Sequence, residues 1–163
     1  MPVEIRRLTP ADAEVWKAFR IGMLQAVPEA FCVVADSLIE RPLTFFQDWL
    51  TQYHCFGALQ DGALIGSVAW KPNGSPVTQH RGELTAVFVA PEARGKGVLD
   101  ALLKAVERDA AGQVILLELE VNARLDATVA AYLRNGYETI ARLADHMKHD
   151  SQLSDALRMM KRL

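Results

Sequence analysis

The chain has 163 residues, half of them hydrophobic, with 18 Lys plus Arg against 20 Asp plus Glu. That length suits one domain, residues 1–163, with a sizeable core of its own. A near-balanced charge without runs of one sign excludes a nucleic-acid footprint or a polybasic membrane patch. No stretch nears the roughly 20 apolar residues of a membrane span, and the opening MPVEIRRLTPADAE has no apolar segment behind its basic residues, so a cytoplasmic protein is expected. Cys32 and Cys55, in AFCVV and YHCFG, form no disulfide framework and read as two buried thiols.

In chain order, VEIRRL alternates as a short strand, and Thr9 and Pro10 look like an N-cap and a first helical residue. Val15, Phe19, Met23 and Leu24 then keep helical spacing to about Gln25, and Pro28 ends the helix. PEAFCVVADS is irregular, and Pro42 opens a second helix with Phe45, Phe46, Trp49 and Leu50 on one face. HCFGALQ and ALIGSVAW are strands joined at Asp61 and Gly62, a pair suited to the positive backbone angles of a tight hairpin. KPNGSPVTQHR reads as a loop.

ELTAVFVA predicts a strand, residues 97–111 a helix and QVILLELEV a mostly buried strand. Strand, crossover helix and strand of this length imply parallel pairing with a right-handed connection. A helix over Asp126 to Asn135 stops at Gly136, YETIARL is a strand, ADHMKHDSQLS a loop, and ALRMMKRL a closing strand. The fold class is α/β, a mixed sheet with helices on both faces.

Within PEARGKGVLDALL, Gly95 and Gly97 sit between a strand and a helix. Such a turn leaves N–H groups unpaired at the positive end of a helix dipole, which suits an anion. Arg94 and Lys96 add charge. The motif is neither GxxxxGK[ST] nor GxGxxG, and taken alone it fits either phosphate binding or a plain tight turn.

VFVAPEARGKGV resembles the acetyl-coenzyme A motif of the GNAT superfamily of N-acetyltransferases, V-x-P-x-x-R-G-x-G. VNARLDATVAAYLRNGYE resembles that family's second signature, an asparagine after the fifth strand, a helix carrying a tyrosine, then Gly and an aromatic. The opening IRRLTPADAEVWKAFRIGMLQAVPEAF is similar to the family's first strand and helix. The resemblance implies a mixed, mostly antiparallel sheet whose fourth and fifth strands splay apart around the pantetheine of acetyl-CoA, with an amine attacking the thioester directly. Backbone N–H groups of Arg94, Gly95, Lys96, Gly97, Val98 and Leu99 would hold the pyrophosphate. Val87 and Val89 would offer backbone groups to the pantetheine and thioester, and Asn122 would also border the cofactor. Tyr132 would protonate the departing thiolate and Glu83 would draw a proton from the amine. Phe31, His146 and His149 would line the acceptor site, and the family's habit suggests a homodimer.

Each residue also has a plainer reading. Tyr132 can simply pack, and Glu83 can be a solvated residue at a strand start. Glu118 and Glu120 share one strand face, where they are a rival base, a hook for a cationic acceptor, or a wet sheet surface. His146 and His149 lack the i, i+4 spacing or further ligands of a metal pair, so no metal is expected.

The chain departs from the family at Leu99, Asp100 and Leu125, all bordering the cofactor. Leu99, Leu102, Leu103, Val106 and Ala110 form a helical stripe, which would bury Leu99 in the core. Asp100 shares a stripe with Lys104 as an i, i+4 pair. The function expected is acetyl transfer from acetyl-CoA to a small-molecule or peptide amine. The alternative is a non-catalytic acyl-CoA-binding module.

Overall fold

A computed structural model describes residues 2–163. Seven strands form one sheet: β1 (Glu4–Arg7), β2 (His54–Gln60), β3 (Ala63–Pro72), β4 (Arg81–Val89), β5 (Leu116–Asn122), β6 (Glu138–His149) and β7 (Gln152–Arg162). Their spatial order is β1-β2-β3-β4-β5-β7-β6, and every neighbouring pair is antiparallel except β4 and β5. The helices are α1 (Ala13–Ala26), α2 (Asp36–Ile39), α3 (Leu43–Gln52), α4 (Val98–Ala110) and α5 (Asp126–Arg134). No described helix is long and apolar enough to cross a membrane.

Alternation along the strands divides the core in two. On one face Val68, Trp70, Leu117 and Leu119 pack under α4 and beside Tyr132 and Tyr137. On the other, Cys55, Ala69 and Ala86 pack under Trp16, Met23, Phe46 and Leu50 of α1 and α3. The hairpin turn lies where expected, with Asp61 and Gly62 at φ of 52° and 80°.

Four expectations are corrected. ADHMKHDSQLS is a long hairpin arm, with β6 running to His149 and β7 starting at Gln152. Its turn is only Asp150 and Ser151, at φ of 47° and 67°. A register shift between Leu143 and Met147 breaks the alternation that a strand reading needs. KPNGSPVTQHR gives Lys71 and Pro72 to β3 and Arg81 to β4. Val15 is half exposed, and the buried face of α1 is instead Ala13, Trp16, Arg20, Met23 and Leu24. Cys55 is buried, whereas Cys32 is exposed because the connection after α1 lies at the surface.

Candidate functional site

The sheet opens where its two parallel strands part. β4 and β5 pair only at Arg81 with Leu116, Gly82 with Leu117 and Glu83 with Glu118. Beyond that rung they diverge, and a cavity of about 820 Å³ lies between them.

β4 is itself deformed at this point. Ser67 and Ala69 of β3 face Phe88 and Thr85, so β4 carries one extra residue between them. Ala86 takes a φ of 51°, unusual for a residue with a side chain. The bulge reverses which way the later residues face. Leu84 joins the α4 side, but so do Val87 and Val89, while Ala86 and Phe88 join the α1 side. The fully buried Ser67 donates its hydroxyl to the Ala86 carbonyl at 2.7 Å and fixes the kink.

At one end of the cavity lies the RGKG turn. Gly95 and Gly97 have φ of 72° and 75°, with nothing within 4 Å of an added Cβ. Arg94 N–H bonds the Pro91 carbonyl and Ala101 N–H that of Gly97, but the six N–H groups from Gly95 to Asp100 have no backbone acceptor among the described residues. They head a 13-residue helix whose dipole adds positive potential. Gly95, Gly97, Val98 and Leu99 border the cavity. Lys96 Nζ turns to the Glu92 carbonyl, while Arg94, which also lines the cavity, donates through Nε to the Val89 carbonyl.

Leu99 is half-buried and lines the cavity, with Val98 taking the first core position of α4 ahead of Leu102 and Leu103. Leu99 still packs against that core from its edge, so the expected stripe is corrected in starting at Val98 and in leaving Leu99 only partly buried. Asp100 makes no pair with Lys104. Asn135 Nδ2 donates to its Oδ1 at 2.7 Å, and Arg134 stands 3.7 Å away. The Asp100 charge beside this anion-binding turn is thereby answered from the end of α5. Leu125 caps the start of α5 and borders the cavity.

Tyr132 of α5 is 3% exposed, lines the cavity and packs edge-on against Tyr137. Its hydroxyl has no hydrogen-bond partner among the described residues. Burial pushes its pKa well up, so the phenol keeps its proton.

The opposite end is built from β4, β5, β6 and the connection after α1. Glu83 is exposed, unpaired by any described cation, and lines the cavity with Glu120. Glu118 is held by Arg81 and so serves the closed part of the sheet. Glu120 accepts hydrogen bonds from Arg158 and from His146 Nε2 at 2.8 Å. Burial raises the Glu120 pKa, but those two partners outweigh it and hold the group below its ordinary value. His149 Nε2 donates to the Phe31 carbonyl at 3.0 Å. Asn122 is buried away from the cavity wall, its amide donating to the Glu29 carbonyl and Ser154 Oγ. Asn122 and His149 therefore pin the segment carrying Phe31.

A model described as the acetyltransferase (GNAT) family matches residues 22–137. The chain belongs to the GNAT acetyltransferase family. No curated protein matches it in sequence. Among solved structures, this GNAT fold is similar to an acetyltransferase of the family from Streptococcus pneumoniae, 19% identical with a TM-score of 0.89 over 99% of this chain and 100% of that one. Ribosomal-protein-alanine N-acetyltransferase from Brucella melitensis is 25% identical, with a TM-score of 0.81 over 98% and 99% of the two chains. The yncA protein of Salmonella typhimurium, solved with its cofactor acetyl-CoA, is 17% identical with a TM-score of 0.80 over 100% and 95%.

Three residues that shape this GNAT cavity escaped the sequence reading. Ser67 sits in an apolar strand and gives no signal of its role. Met147 was hidden in what read as a loop. Arg20 was detectable as a lone cation on the apolar face of α1, since Trp16, Met23 and Leu24 flank it at helical spacing.

Proposed function

We propose that the protein transfers the acetyl group of acetyl-CoA to a primary amine by direct attack on the thioester. The observation that carries this reading is one continuous cavity joining the unpaired N–H groups of the RGKG turn to Tyr132 and Glu83. The turn would take the pyrophosphate, as helix N-termini take anions. The pantetheine would lie along β4 beyond Glu83, where β5 no longer pairs, and would meet backbone groups of Val87 and Val89, the Val89 carbonyl being shared with Arg94 Nε.

The amine nitrogen then forms a bond to the acetyl carbon as the carbon–sulfur bond breaks. A backbone N–H beside the Ala86 bulge would stabilise the developing oxyanion. The amine gives up a proton to Glu83, through water, and Tyr132 supplies one to the coenzyme thiolate. Glu120 is the second candidate base, although Arg158 and His146 already share its charge. Phe31 would frame the acceptor, with His146 and His149 outside the cavity lining, one holding Glu120 and the other the Phe31 carbonyl.

Native mass spectrometry with acetyl-CoA, followed by thiol release over a panel of amines, tests the reading. A bound cofactor with release on at least one amine is expected. A bound cofactor without release would make the protein a non-catalytic module, and no binding would remove the cofactor assignment altogether.

A further inference from the structure

Arg20 is the one charged side chain buried among the described residues, at 7% exposure, and it lines the cavity. Its electrostatic surroundings are poor. No described carboxylate lies within ion-pairing distance; Nη1 donates weakly to Met23 Sδ at 3.4 Å, and the guanidinium stands 5.5 Å from the centre of the Phe31 ring. Burial lowers its pKa to about 10, which still leaves it charged at neutral pH.

A cation taken out of water without an anion is strongly unfavourable. Packing does not demand one here, because the Met23 thioether and the Phe31 ring that the guanidinium meets are apolar and a methionine would fill the same space. Arg20 also faces the side of the sheet on which Glu83 and Glu120 stand, since Leu117, Leu119 and Leu84 turn to the other. One wall therefore offers unspent positive charge and the other a free carboxylate.

We propose that the acceptor carries an oxyanion close to its reacting amine, a carboxylate as in a free amino acid, and that Arg20 binds that oxyanion. The inference rests on reading this end of the cavity as the acceptor pocket. A guanidinium presents paired donors to a carboxylate or phosphate in a fixed plane, which a thioether or ring face does not use. Glu83 would meet the ammonium of the same molecule. Amines with no anion, and polyamines above all, would place positive charge against Arg20.

Calorimetry on the full chain with saturating coenzyme A tests this, using three matched pairs: L-leucine and L-leucinamide, L-phenylalanine and L-phenylalaninamide, O-phosphoethanolamine and ethanolamine. In at least one pair the anionic member should bind about tenfold tighter or more, as a charge-assisted hydrogen-bond pair implies. Arg20→Met should abolish that preference and Arg20→Lys retain part of it, with thermal unfolding confirming that both variants fold. Preference in the amino-acid pairs identifies a carboxylate, and preference in the third pair alone identifies a phosphate. Equal binding in every pair, or a preference that survives Arg20→Met, overturns the proposal. Because binding is read without turnover, thiol release on uncharged amines alone would leave acetyl transfer standing while refuting the role of Arg20. Failure to bind acetyl-CoA in the same calorimeter would instead refute the function.

Discussion

The Ser67 hydroxyl donates to the Ala86 carbonyl at 2.7 Å, at the one residue of β4 with positive φ. The bond lies where β4 changes the face its side chains present, so it holds both the kink and the opening beyond it. Ser67→Ala removes a buried hydrogen bond to the Ala86 carbonyl, and we expect a loss of about 1–3 kcal/mol in urea unfolding. If the bulge also aims the N–H that meets the thioester, kcat should fall while KM for acetyl-CoA stays within about twofold. Equal kcat in the two proteins would confine Ser67 to stability.

Leu99 and Leu102 lie three apart on α4, yet only Leu102 is fully buried. Leu102→Ala should cost about 2–5 kcal/mol, the range for a leucine removed from a packed core. Leu99→Ala removes a half-buried side chain from a cavity wall and should cost no more than about 1.5 kcal/mol. Paired urea titrations measure both, and similar losses would return Leu99 to the core.

Asp100 is already engaged by Asn135 and Arg134. Its charge should therefore matter little to the neighbouring turn, and Asp100→Ser should change the acetyl-CoA dissociation constant by less than about threefold. Removing the partners should do more. Asn135→Ala with Arg134→Ala frees the carboxylate at the mouth of the turn and should weaken binding beyond that limit in calorimetry. Strong tightening in Asp100→Ser would show that repulsion persists despite α5.

How far the sequence could be read depended on whether a single local rule governed the residue. Asp61 and Gly62 obey turn chemistry and nothing else, and they were legible. Gly95 and Gly97 were legible as a turn, and a second motif in register supplied the ligand class. Residues 144–149 were not, because most are polar and exposed on either face and a bulge interrupts their period. The facing of β4 was also out of reach, since the extra residue at Ala86 depends on pairing with β3 rather than on β4 itself. Arg20 shows a third kind of loss. Its conflict with the apolar face of α1 was visible, but only the tertiary structure shows that no described carboxylate answers it.

Asp12 offers a pH test away from the cavity. Arg6 grips its carboxylate through two hydrogen bonds, of 2.7 and 3.1 Å, and the Thr9 N–H adds another at 2.8 Å. The Arg6 hydrogen bond is the main cause, acting against partial burial and aided by Thr9, that lowers the pKa from 3.8 to about 2. A group depressed on folding stabilises fully above its unfolded pKa and loses that contribution as pH falls through the folded value. Stability should accordingly decline between about pH 4 and pH 2 through this group. Asp12→Asn should flatten that part of the profile in thermal unfolding while lowering stability at neutral pH. An unchanged acid limb would assign the decline to other carboxylates.

Tyr132 separates catalysis from packing, because its ring and its hydroxyl have different surroundings. The ring packs on Tyr137, whereas the hydroxyl has no described partner and meets the cavity. Tyr132→Phe keeps the ring, so stability should change by less than about 1 kcal/mol. A phenol acting as general acid contributes about 10²- to 10⁴-fold, and kcat should fall within that range at unchanged acetyl-CoA affinity. The pH profile adds a second readout. Burial lifts the phenol above its ordinary value of 10.0, so the acid form persists and the wild type should show no alkaline loss of kcat from this group up to that pH. A variant with full kcat would leave Tyr132 as a packing residue. A drop in both stability and affinity would mean that the hydroxyl holds the cavity wall in place.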